Sequence, residues 1–217
     1  MLCKKYIVNI DSGICEACMT CIDKIMHPCQ HCGISLTHPD DTICGHCLRE
    51  PWPFIHTVIP LMYNRWLSTL LIDYKHHAKL SYGYNLTKIL IAYLARYYRQ
   101  YELPDMILPI PLFKAKLKKR GFNQTAIMAE QIGAYFNIKV FYSCKKVFDT
   151  QPQARMNRYH RTKNLKGSFA INNLPNINSV AIVDDVVTTG NTVLTLAKLL
   201  QELGVKNIHL WSIARVI

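Results

Sequence analysis

The sequence predicts an α/β protein, a mostly parallel sheet covered by helices on both faces, with a small cysteine-rich module ahead of it. Three features carry that expectation. The run Val180-Ala181-Ile182-Val183 is uninterrupted and apolar, which suits a strand buried on both sides. It leads through Asp184-Asp185 and a Thr/Gly turn into a helical pattern ending near Leu203. Eight of the nine cysteines fall within the first fifty residues, a segment too poor in large apolar residues to build its own core.

Taken in order, residues 1–52 form the expected cysteine module and 53–217 the α/β domain. Pro51-Trp52-Pro53-Phe54 marks the exit, because two prolines within three residues interrupt regular structure. His56–Tyr63 reads as strand. Leu67, Leu70, Leu71 and Tyr74 recur at helical spacing within Trp66–Tyr74, and Tyr84–Tyr98 repeats the pattern. Lys75-His76-His77-Ala78-Lys79 reads as a solvated basic helix end, favourable to the helix dipole. Met106–Leu108 is a short strand, Thr125–Phe136 a helix, and Ile138–Tyr142 another strand. Phe169–Ile171 and Val180–Val183 follow as strands, then a helix over 191–203 stopped by Gly204, and a last strand about Asn207–Ile213. Strands alternating with helices imply ligand binding at the strands' C-terminal ends.

The 217 residues suit one medium domain plus an appendage, and 50% apolar content with a mean hydropathy of +0.04 is ordinary for a globular chain. The best apolar stretch, Leu86–Leu94, contains Lys88, so no membrane span is expected. Asp11 cuts the short apolar stretch after Met1-Leu2-Cys3-Lys4-Lys5, so no export signal is read and a cytoplasmic location is expected. Formal charge is +12, from 26 Lys+Arg against 14 Asp+Glu, which fits polyanionic partners such as nucleotides, pyrophosphate or nucleic acid.

Cys29-x2-Cys32 and Cys44-x2-Cys47 lie eleven residues apart, with Gly33 after one pair and Gly45 inside the other. That is the pattern of a tetrahedral four-thiolate zinc site, with disulfides as the competing reading in an oxidising compartment. Zinc would then supply the module's folding energy. Cys3, Cys15, Cys18 and Cys21 offer a second set, either another zinc site or three ligands and a spare thiol. Cys144, isolated in an apolar stretch, is read as packing.

Downstream of Val183, the loop Thr188-Thr189-Gly190-Asn191-Thr192 gathers hydroxyls, backbone N–H groups and a helix N-terminus around one point. Such a cradle suits a phosphate, and the adjacent Asp184 and Asp185 can accept from sugar hydroxyls or hold a hard cation through oxygen. An ordinary strand–turn–helix corner needs neither paired acids nor two threonines before the glycine. Pro109-Ile110-Pro111-Leu112 follows an earlier strand and precedes Lys114, Lys116, Lys118, Lys119 and Arg120, which makes it a candidate pyrophosphate loop. Between Thr150 and Gly167 the residues Gln153, Arg155, Arg158, His160, Arg161, Lys163, Asn164 and Lys166 stand without a carboxylate. Such a segment can close over a polyphosphate or track a nucleic-acid backbone.

Residues 180–192 resemble the phosphoribosyl-pyrophosphate (PRPP) motif of type I phosphoribosyltransferases. Joined to the four cysteines, the Pro109–Leu112 loop, Arg120-Gly121-Phe122-Asn123-Gln124 and the Gln153…Arg161-x2-Asn164-x2-Gly167-x-Phe169 stretch, the set resembles the ComF family. The resemblance implies a type I phosphoribosyltransferase fold, PRPP binding with Mg²⁺ and a role in handling transforming DNA. Two departures stand out: Tyr6 sits where a second N-terminal cysteine is common, and no acidic residue lies near His160. Two functional readings follow. One is a competence factor whose domain binds PRPP or a related phosphorylated ribose and whose basic surface contacts single-stranded DNA. The other is an active phosphoribosyltransferase with Asp184 and Asp185 as catalytic carboxylates and an unidentified acceptor. The cysteine module could equally dock proteins of the DNA-uptake machinery.

Overall fold

A computed structural model describes residues 16–147 and 167–217. Two short helices, α1 (Glu16–Met19) and α2 (Gly45–Arg49), lie in the cysteine-rich end. The strand expected over 56–63 is split into β1 (His56–Val58) and β2 (Leu61–Met62), because Pro60 between them has no N–H for the ladder. Helix α3 (Arg65–His76) starts at Asn64, whose Oδ1 accepts the Leu67 N–H at 2.9 Å, and buries Leu67, Leu70, Leu71 and Tyr74. Helix α4 (Leu80–Tyr97) sinks Leu86, Leu90 and Leu94 fully.

Strand β3 (Met106–Pro109) is followed by helix α5 (Lys114–Arg120), which buries no side chain and ends at Gly121 with φ +84°. Helix α6 (Gln124–Phe136) begins at Asn123 and stops at Asn137, which adopts the left-handed conformation with φ +56°. Strand β4 is only Lys139–Val140, shorter than the sequence suggested, and pairs with just Met106 and Ile107 of β3. Strands β5 (Cys144–Lys146) and β6 (Phe169–Ile171) form a separate antiparallel ribbon. Strand β7 (Ser179–Val187) carries both aspartates within it and does not end at Val183, because β8 (Asn207–Arg215) pairs it as far as Val187↔Arg215. Helix α7 (Asn191–Glu202) lies between them.

The main sheet is parallel, in the order β1-β8-β7-β3-β4, with β2 also on β8. Its pleat divides the core in two. Val180 and Ile182 face a cluster with Val193, Leu196, Ala197 and Leu200 of α7, together with Trp52, Phe54 and three of the module's cysteines. Ala181 and Val183 face the opposite cluster, built from α3, α4 and α6. So the sheet is covered on both faces, with the cysteine module sharing the α7 side. The connection leaving β3 runs through α6 to β4, while that leaving β7 runs through α7 to β8, in the opposite direction. The neighbours β3 and β7 therefore flank a topological switch point, and the crevice beyond their C-terminal ends is where such sheets bind ligands. Among the described residues no helix is long and apolar enough to cross a membrane.

Away from that crevice, His209 is 3% exposed, and its Nδ1 lies 2.6 Å from the Tyr98 hydroxyl, which accepts the Trp211 indole N–H at 2.9 Å. Burial, with a smaller push from His56, lowers the His209 pKa to about 4. The imidazole is thus neutral in the fold and charged in the unfolded chain below its ordinary value. The resulting stabilisation is present above pH ~6.5 and lost as pH falls through about 4, amounting to roughly 3 kcal/mol. His209→Gln should remove that acid-limb loss, measurable as a flatter dependence of denaturation midpoint on pH between 6.5 and 4.

Candidate functional site

The crevice holds a small, open concavity lined by Asp184, Val186, Val187, Thr188, Gly190, Asn191, Thr192 and Val193. Every predicted phosphate-cradle residue except Thr189 is among those lining it. Gly190, at φ +80°, makes the turn from β7 into α7, and its carbonyl accepts the Leu194 N–H at 2.9 Å. A methyl group there would collide with the indole of Trp52. Gly190→Ala should therefore cost about 1–3 kcal/mol of backbone strain, and displacement of the indole would add to it. Chemical denaturation compared with wild type measures that loss.

The paired aspartates part company, because successive residues of a strand face opposite sides. Asp184 lines the concavity and its Oδ1 accepts the Asp185 N–H at 2.8 Å. Burial, then the Asp185 charge, pushes the Asp184 carboxyl up to about 7, while Lys75 and Lys146 pull it back. Asp185 is 4% exposed and turned to α3, where its Oδ2 lies 2.8 Å from Lys75 Nζ. That contact is an ion pair whose alignment misses a hydrogen bond, so Oδ2 has none.

Lys75 is a site residue that sequence reasoning passed over, having read 75–79 as a solvated helix end. His77 and Lys79 fit that description, pairing with Asp73 at 2.8 and 2.7 Å on the surface. Lys75 does not. It follows the buried Leu71 by four residues, so it shares the helix's inner face, and that spacing was the available signal. Neighbouring Tyr74 is fully buried, with its hydroxyl donating to Gln124 O at 3.0 Å and its ring 5.7 Å from Phe122. This packing brings α3 against the α5–α6 junction. His76 accordingly feels Arg120, Lys75, His77 and Lys119, which, after burial, hold its pKa below the usual imidazole range. A cationic rim thus forms beside the crevice from two segments forty residues apart.

The proline loop opens level with Val183, its partner across the sheet being Pro109. Ile110 is buried, its N–H donating to Val183 O at 3.0 Å and its carbonyl accepting from Thr125 Oγ1 at 2.6 Å and Asn123 Nδ2 at 3.1 Å. The ladder therefore runs one residue further than the prolines suggested, and Ile110 contributes no free N–H. Pro111 has none to give, so any backbone donors of this loop begin at Leu112. Lys114 opens α5, and Arg120 closes it with Nη1 2.5 Å from Gln124 Oε1. Gln153, Arg155, Arg158, Arg161 and Asn164 lie outside the described residues. The β5–β6 ribbon flanking them is closed by Val147 N–H donating to Ser168 O at 2.8 Å and touches Phe113 through Lys146.

In the cysteine module, the sulfurs of Cys29, Cys32, Cys44 and Cys47 all lie within 4.8 Å of one another, and Cys32 Sγ is 3.7 Å from Cys44 Sγ. A tetrahedral zinc–thiolate centre needs sulfurs about 3.8 Å apart. Backbone N–H groups of Cys44 and Cys47 approach the sulfurs of Cys29 and Cys44 at 3.3 and 3.5 Å, as in metal-binding knuckles. Burial raises the Cys32 thiol to about 11 and the Cys47 thiol further, so a cation is what would let these groups ionise together. The four residues fit a structural metal ion. Cys18 packs instead in the α3–α4 core, Cys21 is half-buried, and Cys3 and Cys15 lie outside the described residues. Cys144 is buried packing, its thiol raised to about 12 by burial.

Residues 85–216 match the phosphoribosyl transferase domain family. The chain is 31% identical to competence protein F of Haemophilus influenzae, over 98% of this chain and 95% of that one. It is 30% identical to DNA utilization protein YhgH of Escherichia coli K12, over 100% of this chain and 96% of that one. Among solved structures, adenine phosphoribosyltransferase of Saccharomyces cerevisiae aligns with 62% of this chain and 69% of its own, at 14% identity and a TM-score of 0.40.

Proposed function

Since the chain belongs to the ComF family of competence proteins, with a phosphoribosyl transferase domain over residues 85–216, we propose that its crevice binds PRPP or a related phosphorylated ribose and that the protein handles single-stranded DNA during natural transformation. The observation that carries the ligand reading is the concavity itself, where one acidic side chain and a threonine-lined helix N-terminus meet at the sheet's switch point. Thr188, Thr189, Asn191 and Thr192 hold the 5-phosphate through hydroxyl and backbone donors. Asp184 faces the ribose and would hold Mg²⁺, which would offset the negative charge of the ligand's phosphates. Leu112 and Lys114 are the proline loop's candidates for contacting pyrophosphate.

The DNA reading is supported by the basic rim of Lys119 and Arg120 close to Lys75 and the neutral His76, and by the relatives' names. Contacts to phosphates without base readout give affinity that falls steeply with salt. Calorimetry with PRPP and Mg²⁺ tests the pocket, and an absence of heat at millimolar ligand refutes it. Fluorescence anisotropy with labelled oligonucleotides at 50 and 200 mM salt tests the rim, and salt-insensitive binding counts against it.

Catalytic turnover is the second reading. The withdrawal of Asp185 toward Lys75 favours binding over turnover, because it leaves one carboxylate lining the concavity. Pyrophosphate release from PRPP across a panel of bases and nucleic acids separates the two.

A further inference from the structure

Arg215, at the end of β8, is 7% exposed and aims its guanidinium at main-chain carbonyls from two parts of the molecule. Nε donates to Cys32 O at 3.2 Å, inside the cysteine centre. Nη1 donates to Val187 O at 3.0 Å, to Thr188 O and to Val216 O at 3.2 Å. One side chain therefore bridges a metal-ligand residue and the root of the phosphate cradle. The face of Trp52 covers it, with the guanidinium carbon 5.3 Å from the ring centroid, and the same indole rests on Gly190.

The consequence for the cradle follows from peptide geometry. In a trans peptide the carbonyl of one residue and the N–H of the next point in opposite directions, and no cis bond occurs among the described residues. With the Val187 and Thr188 carbonyls drawn to Arg215, the N–H groups of Thr188 and Thr189 face away from it. That orientation leaves the N–H of Thr188, which lines the concavity, for a ligand there, with the Thr189 N–H on the same side of the turn. A divalent ion held by four thiolates keeps a net negative charge, which complements the buried guanidinium close by.

We propose that Arg215 and Trp52 are the positioning residues of the phosphate cradle and couple it to the four-cysteine metal centre, so that ligand in the one and zinc in the other stabilise each other. This rests on the phosphoribosyl-binding reading above. Coupling between two sites is reciprocal, and factors of about 5 to 150 are usual. The test uses the full-length, zinc-loaded protein and measures zinc partitioning at equilibrium against a chromophoric chelator, with saturating ribose 5-phosphate, with ribose, and with neither. Ribose 5-phosphate binding is measured separately by calorimetry.

Ribose 5-phosphate should raise the protein's zinc affinity against the chelator at equilibrium by about fivefold or more, and ribose should not. Trp52→Phe, which keeps a ring against Gly190, should retain the effect. Arg215→Gln and Trp52→Ala should bind zinc, and their zinc affinity should no longer respond to ligand. Bound ligand with unchanged zinc affinity in the wild type overturns the coupling while leaving the binding reading intact. Failure of ribose 5-phosphate and PRPP alike to bind overturns both. The decisive comparison is made on the wild type, so a variant that fails to fold does not obscure it.

Discussion

Asp184→Asn is expected to reduce Mg²⁺-dependent PRPP affinity at least a hundredfold while leaving the melting temperature unchanged or raised. The carboxyl lines the concavity and is pushed up by burial and by Asp185, so its charge opposes the unliganded fold. The sign follows from that shift. A carboxylate with a raised folded pKa stabilises the fold fully only below its ordinary value, and that contribution is lost as pH rises through about 7. The variant should therefore gain on the wild type as pH rises from about 4 to 7. Asp185→Asn should do the reverse. It leaves the Lys75 ammonium, whose side chain is 22% exposed, without its partner at 2.8 Å, and stability should fall by about 3 kcal/mol, the low end for a buried pair because water reaches the lysine. Calorimetric titration and thermal melts of the two single variants separate these roles. Equal effects of both substitutions on affinity and stability would contradict the division.

Replacing Cys47 by Ser should lower bound zinc from one ion per chain to near zero and drop the melting temperature by on the order of 10 °C. A structural zinc–thiolate site contributes apparent binding free energy of about 10–16 kcal/mol, most of it needed simply to order the module. The excess reaches the rest of the chain because Cys29, Cys32 and Cys47 pack in one cluster with Trp52, Phe54, Ile59 and the buried face of α7. A loss of about 4 kcal/mol there would shift the midpoint of a domain this size by roughly the stated amount. Elemental analysis with thermal melts tests it. Two ions per chain in the wild type, one surviving in the variant, would instead assign a second site to Cys3, Cys15, Cys18 and Cys21.

Much of the architecture was legible because its signals are local. Four consecutive apolar residues at Val180–Val183, helical spacing in α3 and α4, and cysteine pairs of fixed spacing each require only near neighbours to be recognised. Boundaries were less so. Strand β7 continues through two carboxylates because β8 lies beside it, and β4 is confined to two residues because only Met106 and Ile107 of β3 pair with it. Neither cause is written within the segment concerned. The basic run at 114–120, read only as charge, proved to be a helix with nothing buried, for which no apolar period existed to find.

The amino-acid order alone determined the chemistry on offer: a threonine-rich turn at a helix start, acids beside it, four thiols at metal spacing. Those are properties of residues a few positions apart, and short-range geometry delivers them wherever the chain goes. The folded arrangement alone decided which acid serves the crevice and which is consumed by Lys75, and that Arg215, 183 residues from Cys32, joins the cysteine module to the turn. Such partnerships depend on which sheet face each side chain takes and on what packs over it, and long-range packing fixes both.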